Sequence, residues 1–274
     1  MQYLKQLFGL KNKTAIITGG SGILGGEMAK GLLSAEANVI ILGTKDDKLK
    51  MKLDELKKEG NHVSGHICNV LDEENLVSVK NKILDTYGTI DILINAAGGN
   101  MPGATIGVDQ NIFNLRIEDF KKVTDLNFLG TVLPSLIFGK LMAEQKRGSI
   151  INISSMTVQR AITRVVGYSV AKAAVDNFTK WLAVEMALKF GNDLRVNAIA
   201  PGFFLTEHNR TLLTNKDGSL TDRGKTITDM TPFRRFGNPN ELIGTVLWLA
   251  SDASKFITGA VIPVDGGFSA FSGV

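Results

Sequence analysis

The chain is poor in cysteine, histidine and tyrosine, and each shortage narrows what it can be. A single cysteine, Cys68, in 274 residues cannot close an internal disulfide. That fits a reducing compartment and predicts a cytoplasmic location. Three histidines supply no second ligand cluster beside His66-Ile67-Cys68, so a buried strand-end cysteine is expected there rather than a metal site. No run approaches the roughly 18 apolar residues of a bilayer span. The opening MQYLKQLFGLKNK has neither a long apolar core nor a small-residue cleavage site, so no membrane attachment is expected. The net charge of +4 is scattered. A nucleic-acid partner would want a dense basic stripe, and none stands out.

What is present suits a globular protein: 44% hydrophobic and 21% charged residues are ordinary proportions. No repeat, low-complexity tract or linker-like shift in composition divides the chain, so one domain over 1–274 is predicted. Short apolar runs alternate with helical patterns. Strands are predicted at 14–18, 38–42, 62–67, 90–95, 149–154, 194–200 and 260–264. Helices are predicted at 24–35, from Asp46 to Gly60 with Asp46 as cap, and from a capping Asp72 to Tyr87. Further helices are predicted at 117–145, through Tyr168 to about 190, and at 241–250. Pro134 is expected to kink the long helical region. The strands are nearly continuous apolar runs, as expected of a parallel sheet covered on both faces. The predicted fold is therefore α/β: a three-layer, doubly wound parallel sheet of the Rossmann type with about seven strands. Ligands of such sheets bind beyond the carboxyl ends of the strands.

Directly after the first strand comes Thr18-Gly19-Gly20-Ser21-Gly22-Ile23-Leu24-Gly25. Gly20, Gly22 and Gly25 satisfy G-x-G-x-x-G between a strand and a helix. There glycines let the backbone turn tightly against a pyrophosphate at a helix N-terminus. A dinucleotide is expected. The second strand ends Leu42-Gly43-Thr44-Lys45 without the carboxylate that would hold a ribose 2′-hydroxyl. Thr44 and Lys45 could instead receive a 2′-phosphate, which favours NADP over NAD.

Further on, Tyr168 and Lys172 lie four residues apart in a helical pattern and share one face. An ammonium beside a phenol favours the phenolate, so Lys172 is expected to lower the pKa of Tyr168. A phenol so placed is the proton donor that hydride transfer to a carbonyl needs. A strand-end hydroxyl, from Ser154 or Ser155, could complete the site. Taken alone, Tyr-x-x-x-Lys is also an unremarked helix start.

With these motifs in hand, the sequence resembles the short-chain dehydrogenase/reductase family over about residues 13–267. The carrying residues are Thr18-Gly19 with Gly25, Asn95-Ala96-Ala97-Gly98, Asn127, Ser155, Tyr168 with Lys172, Pro201-Gly202 with Thr206, and Val264-Asp265-Gly266-Gly267. Ile23 departs from the pattern, which usually has glycine there. The resemblance implies Tyr168 as general acid/base, Lys172 as its partner and a ligand of the nicotinamide ribose, and Ser155 as the group orienting the substrate oxygen. It implies that Asn127 holds a water linking Lys172 to solvent. For the cofactor it implies contacts from Gly19, Ser21, Gly22, Ile23, Leu24 and Gly25. Thr44, Asn69 and Val70 follow at the adenosine end, and Asn95, Ala96 and Ala97 after the fourth strand. Pro201, Gly202, Phe204 and Thr206 stand near the nicotinamide. A homotetramer is common in the family.

Substrate choice must come from the variable pieces. These are the loop Gly98-Gly99-Asn100-Met101-Pro102, the residues Gln159, Arg160, Thr163 and Arg164, and a polar excursion at 203–237. That excursion reads as a substrate lid carrying Glu207, His208, Asn209, Arg210, Arg234 and Arg235. Amides, hydroxyls and arginines suit a polyhydroxy acid, whose carboxylate an arginine can clamp. In NAAGGN, NISSM, APGFFLTE and VDGGFSAFSGV the chain is similar to the sugar-acid branch of the family. The expected substrate is a small keto or hydroxy sugar acid, D-fructuronate or D-mannonate first. Gluconate 5-dehydrogenase-type and 3-oxoacyl-thioester reductase activities are the alternatives, and the intact Asn127, Ser155, Tyr168 and Lys172 set argues against a non-catalytic dinucleotide-binding protein.

Overall fold

Successive residues of a strand point to opposite faces of its sheet, and the apolar runs of this chain use both. Ile16, Ile40, Leu93 and Ile150 enter one buried cluster, and their neighbours Ile17, Ile41, Ile94 and Ile151 enter the other. That arrangement requires helices on both sides. The computed structural model describes residues 2–273, with Glu207 and His208 described by their backbone alone.

The strands are β1 (Thr14–Thr18), β2 (Asn38–Gly43), β3 (Val63–Ile67), β4 (Ile92–Asn95), β5 (Gly148–Ile153), β6 (Leu194–Pro201) and β7 (Val261–Val264). They form one parallel sheet in the order β3-β2-β1-β4-β5-β6-β7. The order reverses between β1 and β4, which is where an open sheet of this kind opens a crevice. The helices are α1 (Gln2–Phe8), α2 (Ile23–Ser34), α3 (Asp46–Leu56), α4 (Glu73–Tyr87), α5 (Ile117–Thr124), α6 (Gly130–Gln145), α7 (Val166–Phe190), α8 (Glu207–Leu213), α9 (Asp222–Asp229) and α10 (Ile243–Ala250). α2 and α10 cover one face, and α4, α6 and α7 cover the other. Cys68 is buried just after β3, and burial pushes its thiol up to about 11.

Several local expectations change. Asp72 does cap α4, accepting from the Asn75 N–H, and Gly88 closes that helix in the left-handed region. Asp46 does not cap α3: the cap position is Lys45, and Asp46 is already helical, paired with Lys50 at 2.6 Å. An acidic residue in a first turn is favoured by the helix dipole as well as by capping, so the sequence signal is the same. Pro134 lies within α6, but the irregular turn precedes it, as a π segment at Asp125–Leu129. The helical stretch Ile117–Gln145 is also long and apolar enough to span a bilayer, with mean hydropathy 1.4. That corrects the expectation that no segment comes near this mark. Here it is a core element whose Phe138 and Met142 are fully buried. Residues 203–237 are not an open loop; they hold α8 and α9.

Candidate active site

The carboxyl ends of β1 to β6 converge on two adjoining clefts. At the first, Thr18 Oγ1 accepts the backbone N–H groups of Ala96 and Ala97, both at 3.1 Å. This ties the glycine turn to the segment after β4. Gly19 turns there with φ +65°, and a Cβ on it would lie 2.7 Å from the Ala96 carbonyl. A Cβ on Gly25 would lie 2.5 Å from the Gly19 carbonyl, so the first turn of α2 presses on the loop. Ile23 opens α2 and is not among the positive-φ residues, so a side chain is accommodated without backbone strain. The free N–H groups of this helix start face a groove lined by Ser21, Gly22, Ile23 and Leu24. Thr44, Lys45 and Lys48 line it after β2, Asn69 and Val70 after β3, and Ala96, Ala97 and Gly98 after β4. Thr206 closes it from the far side.

Of the expected cofactor residues, Tyr168, Gly202 and Phe204 line only the adjoining cleft, and Asn95, Lys172 and Pro201 line neither. The Asn95 side chain is buried and donates to Ser135 Oγ at 2.8 Å and to Asn152 Oδ1 at 2.9 Å. It holds β4, β5 and α6 together instead of lining the groove. Pro201 is buried at the end of β6, and its neighbour Gly202 lines the second cleft.

The second cleft carries the expected catalytic groups. Ser155 and Tyr168 both line it, with Met101, Thr105, Phe204 and Asn209 among its walls. The two serines after β5 separate cleanly. Ser154 donates its hydroxyl to the Asp176 carboxylate, while the Ser155 hydroxyl interacts with the Tyr168 phenol. Lys172 is buried beneath, donating to the Ile153 carbonyl at 2.7 Å. Its Nζ lies 5.5 Å from the centre of the Tyr168 ring.

The electrostatics correct one expectation. The Tyr168 phenol is held above its ordinary range, not below it: burial raises it, and Ser155 offsets only part of that. Lys172 is itself pushed down to about 8 by burial, against the charge of Asp176. Desolvation is the largest cause of the shift in both groups. Asn127 is likewise more occupied than expected. Its Oδ1 accepts from Gly99 N–H at 3.0 Å, and its Nδ2 donates to the Gly99 and Val123 carbonyls, both at 2.8 Å. It fastens the loop after β4 to the π segment. A Cβ on Gly98 would meet both Asn127 Oδ1 and Lys172 Nζ, so these two side chains converge there.

The arginines sort themselves. Arg160 donates to the carbonyls of Ser269 and Phe271 and pins the C-terminal tail. Arg234 pairs with Asp229, and Arg235 grips Glu241 with bonds of 2.7 and 2.6 Å. Arg210 is exposed. Arg164 lines the second cleft, and so does Arg223, which the sequence reading missed. Its only sequence signal is the Thr221 cap that starts α9. The side chains of Glu207 and His208 lie outside the described residues.

A dinucleotide loop at a sheet crevice beside a Ser-Tyr-Lys set is one pattern, and known sequences share it along nearly the full chain. The sequence profile of a family described as enoyl-(acyl carrier protein) reductase matches residues 20–269. An oxidoreductase of Bacillus subtilis strain 168 named UxuB, itself uncharacterised, is 44% identical, covering 97% of this chain and 98% of its own. The chain is a short-chain dehydrogenase/reductase.

Two solved members of the family are close in structure. A proposed D-mannonate oxidoreductase of Haemophilus influenzae, crystallised with NAD, superposes with a TM-score of 0.89 at 42% identity, over 97% of this chain and 98% of the other. A gluconate 5-dehydrogenase of Burkholderia cenocepacia, in complex with NADP and tartrate, gives 0.85 at 28% identity, over 97% and 99%. Short-chain dehydrogenase/reductases thus include both NAD-bound and NADP-bound structures in this neighbourhood.

Proposed function

We propose that this short-chain dehydrogenase/reductase interconverts a keto and a hydroxy sugar acid, D-fructuronate and D-mannonate first. The observation that carries it is the composition of the cleft holding Tyr168 and Ser155. Its walls offer Asn100, Thr105 and Asn209 beside two arginines, Arg164 and Arg223. Hydroxyl and amide partners suit the hydroxyls of a sugar acid, and guanidinium suits its carboxylate. The sugar-acid names of the two solved relatives support the same reading.

The groove fits a nicotinamide dinucleotide. Gly19 and Gly25 leave room where side chains would clash, and the α2 N-terminus faces the space. Ser21, Gly22, Ile23 and Leu24 would hold the pyrophosphate, Asn69 and Val70 the adenine side, and Ala96, Ala97 and Thr206 the nicotinamide side. When bound, the nicotinamide supplies or accepts the hydride. Tyr168 delivers its phenolic proton to the substrate oxygen in reduction and recovers it in oxidation. Its raised pKa keeps that proton in place at neutral pH. Ser155 donates a hydrogen bond to the same oxygen and stabilises charge there. Lys172 supplies positive charge beneath the phenol, and Asn127 fixes the loop beside it. Residues 203–237 act as the lid, with α8 and α9 closing over the substrate and excluding water.

Lys45 and Lys48 at the adenosine end, with no carboxylate among the described lining residues, favour NADP. A homotetramer in the cytoplasm completes the reading. Trp181, Val184 and Leu188 form an exposed apolar strip on α7 that suits a subunit contact.

A second reading, 3-oxoacyl-thioester reduction, draws on the apolar walls Met101, Ile162, Phe203 and Leu212 of the same cleft. Purified protein assayed with D-fructuronate, 5-keto-D-gluconate and an acetoacetyl thioester, each with NADH and NADPH, separates the two. Turnover of the sugar acids is expected. Thioester turnover without sugar-acid turnover refutes the proposal.

A further inference from the structure

The proposed function requires a place for the substrate's carboxylate. We propose that Arg164 and Arg223 together form that place, a two-arginine carboxylate subsite in the cleft that holds Tyr168 and Ser155. The inference rests on the sugar-acid reading and assigns its anionic end to named residues.

Arg164 is held by its own backbone. Its carbonyl accepts from the Ile106 N–H at 3.0 Å, and its Nε donates to the Ile106 carbonyl at 2.7 Å. Its φ of +79° lies in the left-handed region, which non-glycine residues enter rarely. A residue kept there is a candidate for function. With Nε spent on Ile106, the two terminal nitrogens have no protein acceptor among the described residues. They are the pair of donors that a carboxylate can bridge.

Arg223 comes from the other side, on the second residue of α9. That helix is docked tightly: a Cβ on the adjacent Gly224 would lie 2.2 Å from the Leu213 carbonyl. Arg223 is half-buried and has no ion-pair partner among the described residues. Burial, and then the charge of Arg164, hold its guanidinium below the usual range. Two cations thus share one cleft with no anion among its described lining side chains. Such an arrangement is relieved by a ligand carrying negative charge. Arg160, Arg234 and Arg235 are excluded from the role by their existing partners.

The substrate chemistry agrees. In D-fructuronate, three hydroxyl-bearing carbons separate the carbonyl from the carboxylate. The acid end therefore lies well away from the oxygen at Tyr168. D-fructose is the same ketose chain with an uncharged end.

The test compares D-fructuronate with D-fructose as substrates of the wild type, Arg164→Met, Arg223→Met, Arg223→Lys and, as a control paired with Asp91 away from the cleft, Arg147→Met. Each variant is first checked by thermal melting and by NAD(P)H titration. Arg164→Met and Arg223→Met should each raise KM for D-fructuronate by about 10- to 100-fold, as expected for lost bonds to a charged group. kcat should change little, and kcat/KM for D-fructose should not fall. Arg223→Lys should recover part of the loss, and Arg147→Met should match the wild type. Unchanged KM in both methionine variants of an active enzyme overturns the subsite alone. An equal loss on D-fructose also overturns it. A wild type that reduces no sugar acid overturns the proposed function and the subsite with it.

Discussion

The Ser154 hydroxyl donates to the Asp176 carboxylate, and Asp176 lies one helical turn beyond Lys172 on α7. Tyr168, Lys172 and Asp176 therefore stand in one column, each four residues from the next. The Asp176 carboxyl is held above its usual range by burial. Ser154, then Lys180 and Lys172, pull it back. Lys172 in turn owes part of its remaining basicity to Asp176. Removing that charge with Asp176→Asn should move the ionisation of Lys172 below about 8. The pH profile of kcat/KM should show its Lys172-dependent limb shifted to lower pH. A profile superimposable on the wild type's refutes the coupling.

Lys172 itself is predicted to cost stability. The unfolded chain keeps this proton up to 10.5, whereas the folded chain gives it up near about 8. Between those values the unfolded state binds more protons, so this group adds stability as pH rises through the window. Below it, the buried ammonium costs about 3 kcal/mol. Lys172→Met loses the charge-assisted bond to the Ile153 carbonyl, worth about 1.5–3 kcal/mol. The variant should be inactive yet at least as stable as the wild type at pH 7, and more stable by up to about 1.5 kcal/mol, in guanidinium unfolding. Its advantage should shrink towards pH 10. A variant less stable at pH 7 contradicts the sign.

The glycine turn gives a third expectation. Gly19→Ala places a methyl group 2.7 Å from the Ala96 carbonyl, at a φ of +65°. The left-handed conformation and the clash should together cost about 2–4 kcal/mol. NAD(P)H affinity should fall with it, because the same loop lines the groove. Calorimetric melting and NAD(P)H fluorescence titration measure both. An unshifted melting temperature refutes the packing argument.

The proposed preference for NADP rests on Lys45 and Lys48 lining the groove after β2. Lys45→Ala should raise KM for NADPH by about 5- to 50-fold, the range of one charge-assisted contact. KM for NADH should stay within about twofold. Equal effects on both cofactors remove Lys45 from the 2′-phosphate site.

The sheet was legible because β1, β2, β4, β5 and β6 are buried on both faces and so read as unbroken apolar runs. The pairing of Tyr168 with Lys172 was legible because helical geometry alone makes neighbours of residues four apart. The roles of Asn95 and Arg223 were not. Asn95 finds its partners on α6 and β5, and Arg223 reaches the cleft only because α9 docks against α8. Neither contact leaves a local pattern. The sign of the Tyr168 shift is hidden from the sequence for a related reason. Spacing shows that an ammonium lies near a phenol, but it does not show how deeply both are buried. Ser154 and Ser155 are adjacent in sequence, yet their side chains turn to different partners, Asp176 and Tyr168, that only the fold brings within reach.

The most direct test of the account is oxidation of NADH and NADPH by D-fructuronate, followed at 340 nm, with the wild type beside Tyr168→Phe. The wild type is predicted to turn over, and the variant to lose about 100- to 10,000-fold in kcat while binding NAD(P)H as before. A wild type inert towards D-fructuronate and 5-keto-D-gluconate, or a Tyr168→Phe enzyme that keeps its rate, contradicts it.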